Sequence, residues 1–241
     1  MGYSMNRRKV TSIVAAALTL AGLTFVTGAP PVGAASPKSM FGAGFQVITG
    51  GGGVSSASAQ FTVPDISCHA LHDVEAIYPG VWVLDGVGTV KQEVDINAYC
   101  VDNVAHVSDA ICIVGGTPGC VSNLSVSPGD RIIASFSESA VATQGEIYDL
   151  TTNLSDQITN GTAAPTPDAS VFIGDIGPHL AGYTHVPTFT SIPFSKVQVN
   201  GRYLFQNSPE FFSLRTASAV QVRISSYRQD GDAFVTSYQH Y

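Results

Sequence analysis

Short runs of β-branched and aromatic residues, separated by turn-forming residues, recur along most of this chain. Beyond the N-terminal region no segment shows helical periodicity, so the crossover helices that a parallel sheet needs are missing. The pattern predicts an all-β, antiparallel sandwich or barrel. Runs bounded by Gly, Pro, Asn or Asp predict strands at residues 58–63, 81–84, 90–97, 106–114, 130–137, 145–150, 170–173, 196–199 and 220–226.

The N-terminal residues have the order of a secretory signal. Three cations at residues 7–9 precede an apolar run over 10–26, and small residues follow, with Val32 and Ala34 placed for cleavage. Retention as a membrane anchor is the alternative, but Thr, Ser and Gly dilute the run and a proline pair closes it. We expect a cleaved signal peptide over residues 1–35 and a secreted, extracellular protein.

The remainder, about 200 residues, suits one domain with a substantial core. A glycine run at residues 50–53 separates a weakly patterned stretch from the first predicted strand. We therefore expect a flexible segment over residues 36–57 and a single β-sandwich domain over residues 58–241.

Charge limits the partners of this chain. It carries 11 Lys and Arg against 18 Asp and Glu, a net charge of −7, and removal of the signal makes it more acidic. This balance argues against nucleic acid and anionic membranes as partners. We expect a monomer that has no nucleic-acid partner and no membrane association after signal cleavage.

Four cysteines in an exported chain are expected to form disulfides rather than a metal site. A Cys112–Cys120 bond would close the glycine-rich turn between them, and by elimination Cys68 would pair with Cys100. The alternative leaves one pair free and buried.

No motif indicates a cofactor or a metal ion. No Gly-Lys-Ser/Thr follows the glycine run, and the Gly-x-Ser-x-Gly and His-Glu-x-x-His patterns of hydrolases are absent. His69, His72 and Asp73 could serve as metal ligands, but a solvated loop suits their spacing better. We expect no cofactor and no metal site.

An ordered set of short motifs carries one resemblance. Phe61-Thr-Val-Pro64, Trp82-Val-Leu-Asp85-Gly86 and Gln92-Glu-Val-Asp95, with further landmarks at 126–130, 145–152 and 193–201, resemble the glutamic peptidases, or eqolisins. The resemblance implies a sandwich of two antiparallel sheets, similar to the lectin and glucanase jelly rolls, with a cleft on the concave face.

The resemblance also implies a mechanism. In that family a glutamate activates water as a general base, and a glutamine amide stabilises the tetrahedral oxyanion without itself titrating. Gln92 falls on the family's glutamine, while Trp82 and Asp85 fall on residues that line the same cleft. The position of the glutamate is Ser170, whose hydroxyl does not ionise usefully in water.

Another carboxylate could in principle compensate for Ser170. Asp168 shares its strand parity and lies roughly 7 Å along the strand, whereas Asp175 has the opposite parity. Alternation also turns Glu93 and Asp95 away from the face of Gln92.

These residues support three functions. The first is a catalytically impaired protein that binds an extended peptide or glycan in the cleft. The second is an acid-acting endopeptidase in which Gln92 stabilises the oxyanion and Asp168 supplies the base. The third is a structural envelope or matrix protein.

Overall fold

The computed structural model describes residues 38–40, 42–69, 74–86, 88–113, 119–161, 168–177, 185–215, 220–228 and 232–239. The predicted signal, and His72 and Asp73, lie outside these ranges. Within these ranges, the short 3-10 helices Gly50–Gly52 and Leu204–Asn207 accompany the strands. Within the described ranges, no helix is long and apolar enough to cross a membrane.

The strands in chain order are β1 (Lys38–Met40), β2 (Gly42–Ile48), β3 (Ser56–Thr62), β4 (Ile66–Ser67), β5 (Val74–Leu84), β6 (Val90–Val101), β7 (Val104–Ile113), β8 (Cys120–Val121), β9 (Arg131–Glu138), β10 (Thr143–Asp149), β11 (Leu154–Asn160), β12 (Ser170–Ile176), β13 (Thr188–Phe189), β14 (Ile192–Val199), β15 (Arg202–Tyr203), β16 (Glu210–Arg215), β17 (Val220–Tyr227) and β18 (Phe234–Tyr238).

Hydrogen bonds join most of these strands into one strongly curled sheet. Its path runs β11-β10-β9-β3-β14-β18-β17 through a first half and β16-β2-β12-β5-β6-β7-β8 through a second half. The pairs along the path are antiparallel, and β1 adds to β16 in parallel. The predicted all-β, antiparallel sandwich is confirmed.

The two halves pack their apolar faces together, and we call these the inner faces. The main core lies between them and includes Phe61, Val94, Ile111 and Ile147. The contact between the halves is close at β10, because a Cβ added to Gly145 would lie 2.6 Å from Cγ2 of Ile111. Burial of these faces is the main stabilising contribution to the fold.

One predicted boundary is wrong. Residues 36–57 were expected to be flexible, but Gly42–Ile48 forms β2, which lies between β16 and β12. Its small residues and glycines give little β propensity, so the sequence carries a weak strand signal. Hydrogen bonding to β16 and β12 on its two edges stabilises β2, although its residues have little preference for a strand.

The predicted disulfides are confirmed. Cys68 is bonded to Cys100 of β6, and Cys112 of β7 is bonded to Cys120 of β8. The first bond ties the segment after β4 to the sheet, and the second closes the β7–β8 connection.

Asp175 is a buried carboxyl group on the inner face of β12. It is 0% exposed, and neither of its oxygens has a hydrogen-bond partner among the described residues. Burial raises the pKa of Asp175 to about 8, and the nearby Thr236 hydroxyl offsets part of this rise. The expectation that Asp175 and Ser170 face opposite ways is confirmed.

Replacing Asp175 by asparagine should remove a pH dependence of stability. The folded protein keeps a proton on Asp175 that the unfolded chain releases near its usual pKa of 3.8. Stability that is present in acid is therefore lost as the pH rises, and the loss levels off above the folded-state pKa. It amounts to at most roughly 6 kcal/mol. In urea unfolding, Asp175→Asn should gain most over the wild type at about pH 9.

Asp168→Asn is the matched control, because Asp168 is exposed in a turn. Its unfolding midpoints should follow those of the wild type. Equal pH dependence in the wild type and Asp175→Asn would contradict a protonated Asp175.

Candidate functional site

Strand register decides which side chains share a face in the second half. Residues paired across neighbouring strands project from the same side of a sheet. Trp82 of β5 is opposite Glu93 of β6 and Phe172 of β12, whereas Val83 is opposite Gln92 and Val171. Because Val83 and Val171 belong to the main core, Gln92 points to the inner face and Trp82 to the other, outer face.

A β-bulge precedes Gln92. Val83 pairs with Gln92, but the next residue, Leu84, pairs with Val90, which leaves Lys91 as the extra residue of β6. A bulge changes the alternation of side chains between the two strands. The turn and the bulge between Trp82 and Gln92 therefore decide that the two side chains take opposite faces.

Gln92 lies in apolar surroundings. Gln92 is 5% exposed, and its cross-strand neighbours are Val83 and Ile113. Its side-chain Oε1 is buried and has no hydrogen-bond partner within the part of the chain that the structure describes. The amide therefore does not face the surface that carries Trp82, and the expected cleft shared by Gln92 and Trp82 is not formed.

Ser170 begins β12 on the outer face. It is opposite Leu84 of β5 and Ile48 of β2, and its hydroxyl accepts a hydrogen bond of 2.7 Å from Nε2 of Gln46. The sheet lies between Ser170 and the side chain of Gln92. The side chains of Ser170 and Gln92 are therefore not brought together.

Asp168 does not share the strand parity of Ser170, so that expectation is wrong. It lies in a turn before β12 with φ +55°, and its side chain is exposed beside Gly86. Positive φ is common for aspartate in turns and ends the alternation on which the expectation depended.

Asp85 is a turn residue. Its Oδ1 accepts a hydrogen bond of 2.8 Å from the Thr89 amide, and its Oδ2 lies 3.1 Å from Nζ of Lys91. These contacts hold the β5–β6 connection and the bulged lysine. The alternative interpretation of Asp85 as a turn former fits this geometry.

A second apolar cluster covers part of the outer face. The Trp82 and Phe172 rings are 5.9 Å apart, and those of Phe172 and Phe212 are 6.3 Å apart. Trp82 is 1% exposed, so it packs as a core residue of this face. The members of the outer cluster are Trp82, Leu84, Phe172, Ile176 and Phe212, with Tyr78 and Val90 at its border.

A carboxyl pair lies next to this cluster. Glu93 and Asp95 alternate onto the outer face, where Glu93 is opposite Trp82 and Asp95 is opposite Gly80. A Cβ on residue 80 would lie 2.4 Å from Cβ of Asp95, so only glycine leaves room for the aspartate. Sequence reasoning set these two acids aside because they alternate away from Gln92, and the bulge that places Glu93 opposite Trp82 has no distinct sequence signal.

Burial governs the titration of the pair. Burial raises the pKa of Asp95 well above its usual range, the charge of Glu93 raises it further, and the Trp82 indole acts in the opposite direction. Burial also raises the pKa of Glu93, which its interaction with Asp95 partly offsets. Neither Asp95 oxygen has a hydrogen bond of good geometry in the described ranges. The pair therefore retains a proton under conditions where exposed carboxyls have lost theirs.

A cavity of about 380 Å³ borders this region. It lies past the end of β2 and is lined by Val47, Ile48, Thr49, Asn200, Arg202 and Asn207. Ile48, which is 61% exposed, joins this cavity to the outer face beside Ser170. Among the described residues, no three His, Cys, Asp or Glu side chains lie together as metal ligands would.

Two solved structures of peptidases have a fold similar to that of this chain. Scytalido-glutamic peptidase with a transition state analog inhibitor matches with a TM-score of 0.61 and 14% identity over 85% of this chain and 100% of that chain. SCP-B, a member of the eqolisin family, in complex with the tripeptide Ala-Ile-His, matches with a TM-score of 0.56 and 13% identity over 82% and 97% of the two chains. Identity this low shows the fold alone. No family model matches the chain, and no curated protein matches it.

The single tryptophan makes the carboxyl pair observable. Because Trp82 lies opposite Glu93, its fluorescence should change as the pair loses its proton, in a transition above the usual carboxyl range. The double variant Glu93→Gln, Asp95→Asn should lack this transition in a fluorescence titration. Asp102→Asn, in the exposed β6–β7 turn, should keep it. A wild-type transition at the ordinary pH of a carboxyl group would argue against the buried pair.

Proposed function

We propose that this protein binds an extended peptide across the outer face of its second half and does not hydrolyse it by a glutamine–glutamate pair. One observation carries the proposal. Ser170, at the position that the resemblance gives to the family's glutamate, is hydrogen-bonded to Gln46 on the outer face. Gln92 points into the main core.

The absence of the base and the displacement of the oxyanion donor would be chemically severe. A general base contributes about a hundred- to ten-thousand-fold in rate, and an oxyanion donor a similar factor. The alternative peptidase, which uses Gln92 and Asp168, is disfavoured because one residue is buried on the inner face and the other lies in an exposed turn.

Partly exposed side chains define a path for the peptide. Glu93 and Gln46 are partly exposed and lie at the two ends of one cross-strand row, whose middle residues Phe172 and Trp82 are buried. The exposed Ile48 leads from that row to the cavity past β2. The similar scytalido-glutamic peptidase and SCP-B structures hold a peptide-based inhibitor and a tripeptide. These observations favour a peptide over a glycan as the ligand.

Export is part of the proposal. Two disulfides and no free cysteine among the described residues suit an oxidising compartment. We infer a leader over residues 1–35 and an extracellular monomer, with residues 58–241 forming the main part of one domain.

A second candidate is an acid-acting hydrolase that uses Glu93 and Asp95. The observation that favours it is their shared burial on the outer face with raised pKa values, since two coupled carboxyl groups can divide acid and base roles. It requires neither Gln92 nor Asp168.

Cleavage assays separate these functions. The purified chain without residues 1–35 should not cleave a denatured protein between about pH 2 and pH 7, and Gln92→Ala should behave alike. Ser170→Glu should also stay inactive, because the new carboxylate would face away from the Gln92 amide. Turnover that peaks in acid and disappears in Gln92→Ala would overturn the proposal. Turnover that survives in Gln92→Ala but not in Glu93→Gln would establish the second candidate.

Binding is measured with a library of unstructured peptides, followed by titration of the best sequence against Trp82 fluorescence. We expect Glu93→Ala and Ile48→Ser to weaken binding about tenfold each, because both side chains lie on the proposed path. Val141→Ser, an exposed apolar residue of the β9–β10 turn, is the control and should bind as the wild type does. Oligosaccharide binding alone would assign a glycan, and no binding of either would favour a structural protein.

A further inference from the structure

A hydrogen-bonded chain of three side chains lies away from the outer-face site. His69 follows β4 and the disulfide-bonded Cys68, Glu75 lies in β5, and Thr188 lies in β13. β13 pairs with β4 in a separate two-stranded sheet, in which Thr188 is opposite Ser67. The Ala76 amide also donates to the His185 carbonyl, so the segment before Thr188 is attached to β5.

The imidazole of His69 lies between the carboxyl group of Glu75 and the hydroxyl of Thr188. Nδ1 of His69 lies 2.5 Å from Oε1 of Glu75, and Nε2 of His69 lies 2.9 Å from Oγ1 of Thr188. The second carboxyl oxygen of Glu75 accepts a hydrogen bond of 2.9 Å from the His69 amide. Both oxygens of the acid are therefore used to hold one histidine.

The acid fixes the tautomer of the imidazole. An ionised carboxylate only accepts hydrogen bonds, so Nδ1 of a neutral His69 carries the proton and Nε2 presents a lone pair. Thr188 must then donate its hydroxyl proton to Nε2. This is the order of groups that activates a hydroxyl nucleophile in unrelated hydrolases, where it is recognised by geometry and not by sequence position.

The three side chains differ in burial in the way that such a function requires. The Glu75 side chain is 0% exposed, the His69 side chain is 38% exposed, and Thr188 is partly exposed. The acid is therefore shielded from water, while the residues that carry the imidazole and the hydroxyl are partly exposed. The Cys68–Cys100 disulfide anchors the residue next to His69, and Cys100 is opposite Glu75 in the sheet.

We infer that Thr188, His69 and Glu75 form an esterase site that is independent of the outer face. Oγ1 of Thr188 attacks the acyl carbon of a carboxylic ester, and its proton passes to Nε2 of His69. The bond from the acyl carbon to the alcohol oxygen breaks, and the alcohol leaves with that proton. Water then attacks the acyl-threonine, gives one proton to His69, and releases the acid as the proton returns to Thr188. Glu75 is a positioning residue.

The nucleophile limits the substrate class. The methyl group on Cβ of threonine crowds the attacking oxygen and restricts its rotamers. A secondary hydroxyl therefore suits a small acyl group with a good leaving group more than a bulky amide. The chemical class is a short-chain ester, for which p-nitrophenyl acetate is the probe.

The test measures p-nitrophenyl acetate hydrolysis by the folded mature chain. Thr188→Val and His69→Gln should each lower kcat about a hundredfold, and Thr188→Ser should keep or raise it. Glu75→Gln should lower kcat with little change in KM, because it alters the tautomer and not the binding of the ester. An acid-quenched wild-type reaction should carry one acetyl group on the peptide that contains Thr188, detected by mass spectrometry.

Two control variants separate this site from background chemistry. Thr190→Val changes a neighbouring threonine whose hydroxyl accepts from the Asp65 amide, and His106→Gln removes an exposed imidazole stacked on Tyr99. Both should retain wild-type rates. Loss of activity in His69→Gln but not in Thr188→Val would overturn the inference, since the imidazole would then attack the ester itself. Unchanged rates in folded Thr188→Val and His69→Gln would show that these contacts only hold β13 in place.

Discussion

Both half-sheets must bury an apolar inner face, and this constraint fixes the direction of every side chain in the site. A slip of one residue in β6 would turn Val94 and Ile96 outward and leave the main core open. Their burial therefore holds Glu93 and Asp95 on the outer face. The bulge at Lys91 lies where this pairing begins, and it carries Gln92 to the inner side.

The outer face consequently has a different chemistry from that of a glutamine–glutamate pair. Its polar groups include two neighbouring carboxyls beside the indole of Trp82, and a serine hydrogen-bonded to Gln46. Buried acids of this kind are neutral over a wider pH range than exposed acids, because desolvation disfavours the charged form. Such a surface can hold a proton and contact a ligand, but it does not place a base opposite an amide donor.

His69 shows how the same fold builds a second type of polar arrangement. Its partners come from β5 and from β13, two elements that are brought together by strand pairing and by the disulfide at Cys68. The fold is thus able to separate two chemistries. Coupled carboxyls lie on the outer face of the second half, and an acid–imidazole–hydroxyl chain lies at the small sheet of β4 and β13.

Local patterns predicted the parts of the fold that depend on local preference. Alternation gave β3, β6, β9 and β10 closely, and the short spacing of Cys112 and Cys120 gave their bond. β2 was missed because its glycines conceal a strand that pairing on both edges stabilises. Parity failed for Asp168, because a positive φ before β12 interrupts the extended chain on which parity depends.

The sequence by itself determined the all-β class and the position of the turns, since each follows from residue type or from short-range spacing. Only the tertiary structure decided the face of Gln92, the coupling of Glu93 with Asp95 and the meeting of His69 with Thr188. A bulge changes parity without a distinct sequence signal, and contacts between residues 119 positions apart arise from packing of the whole sheet.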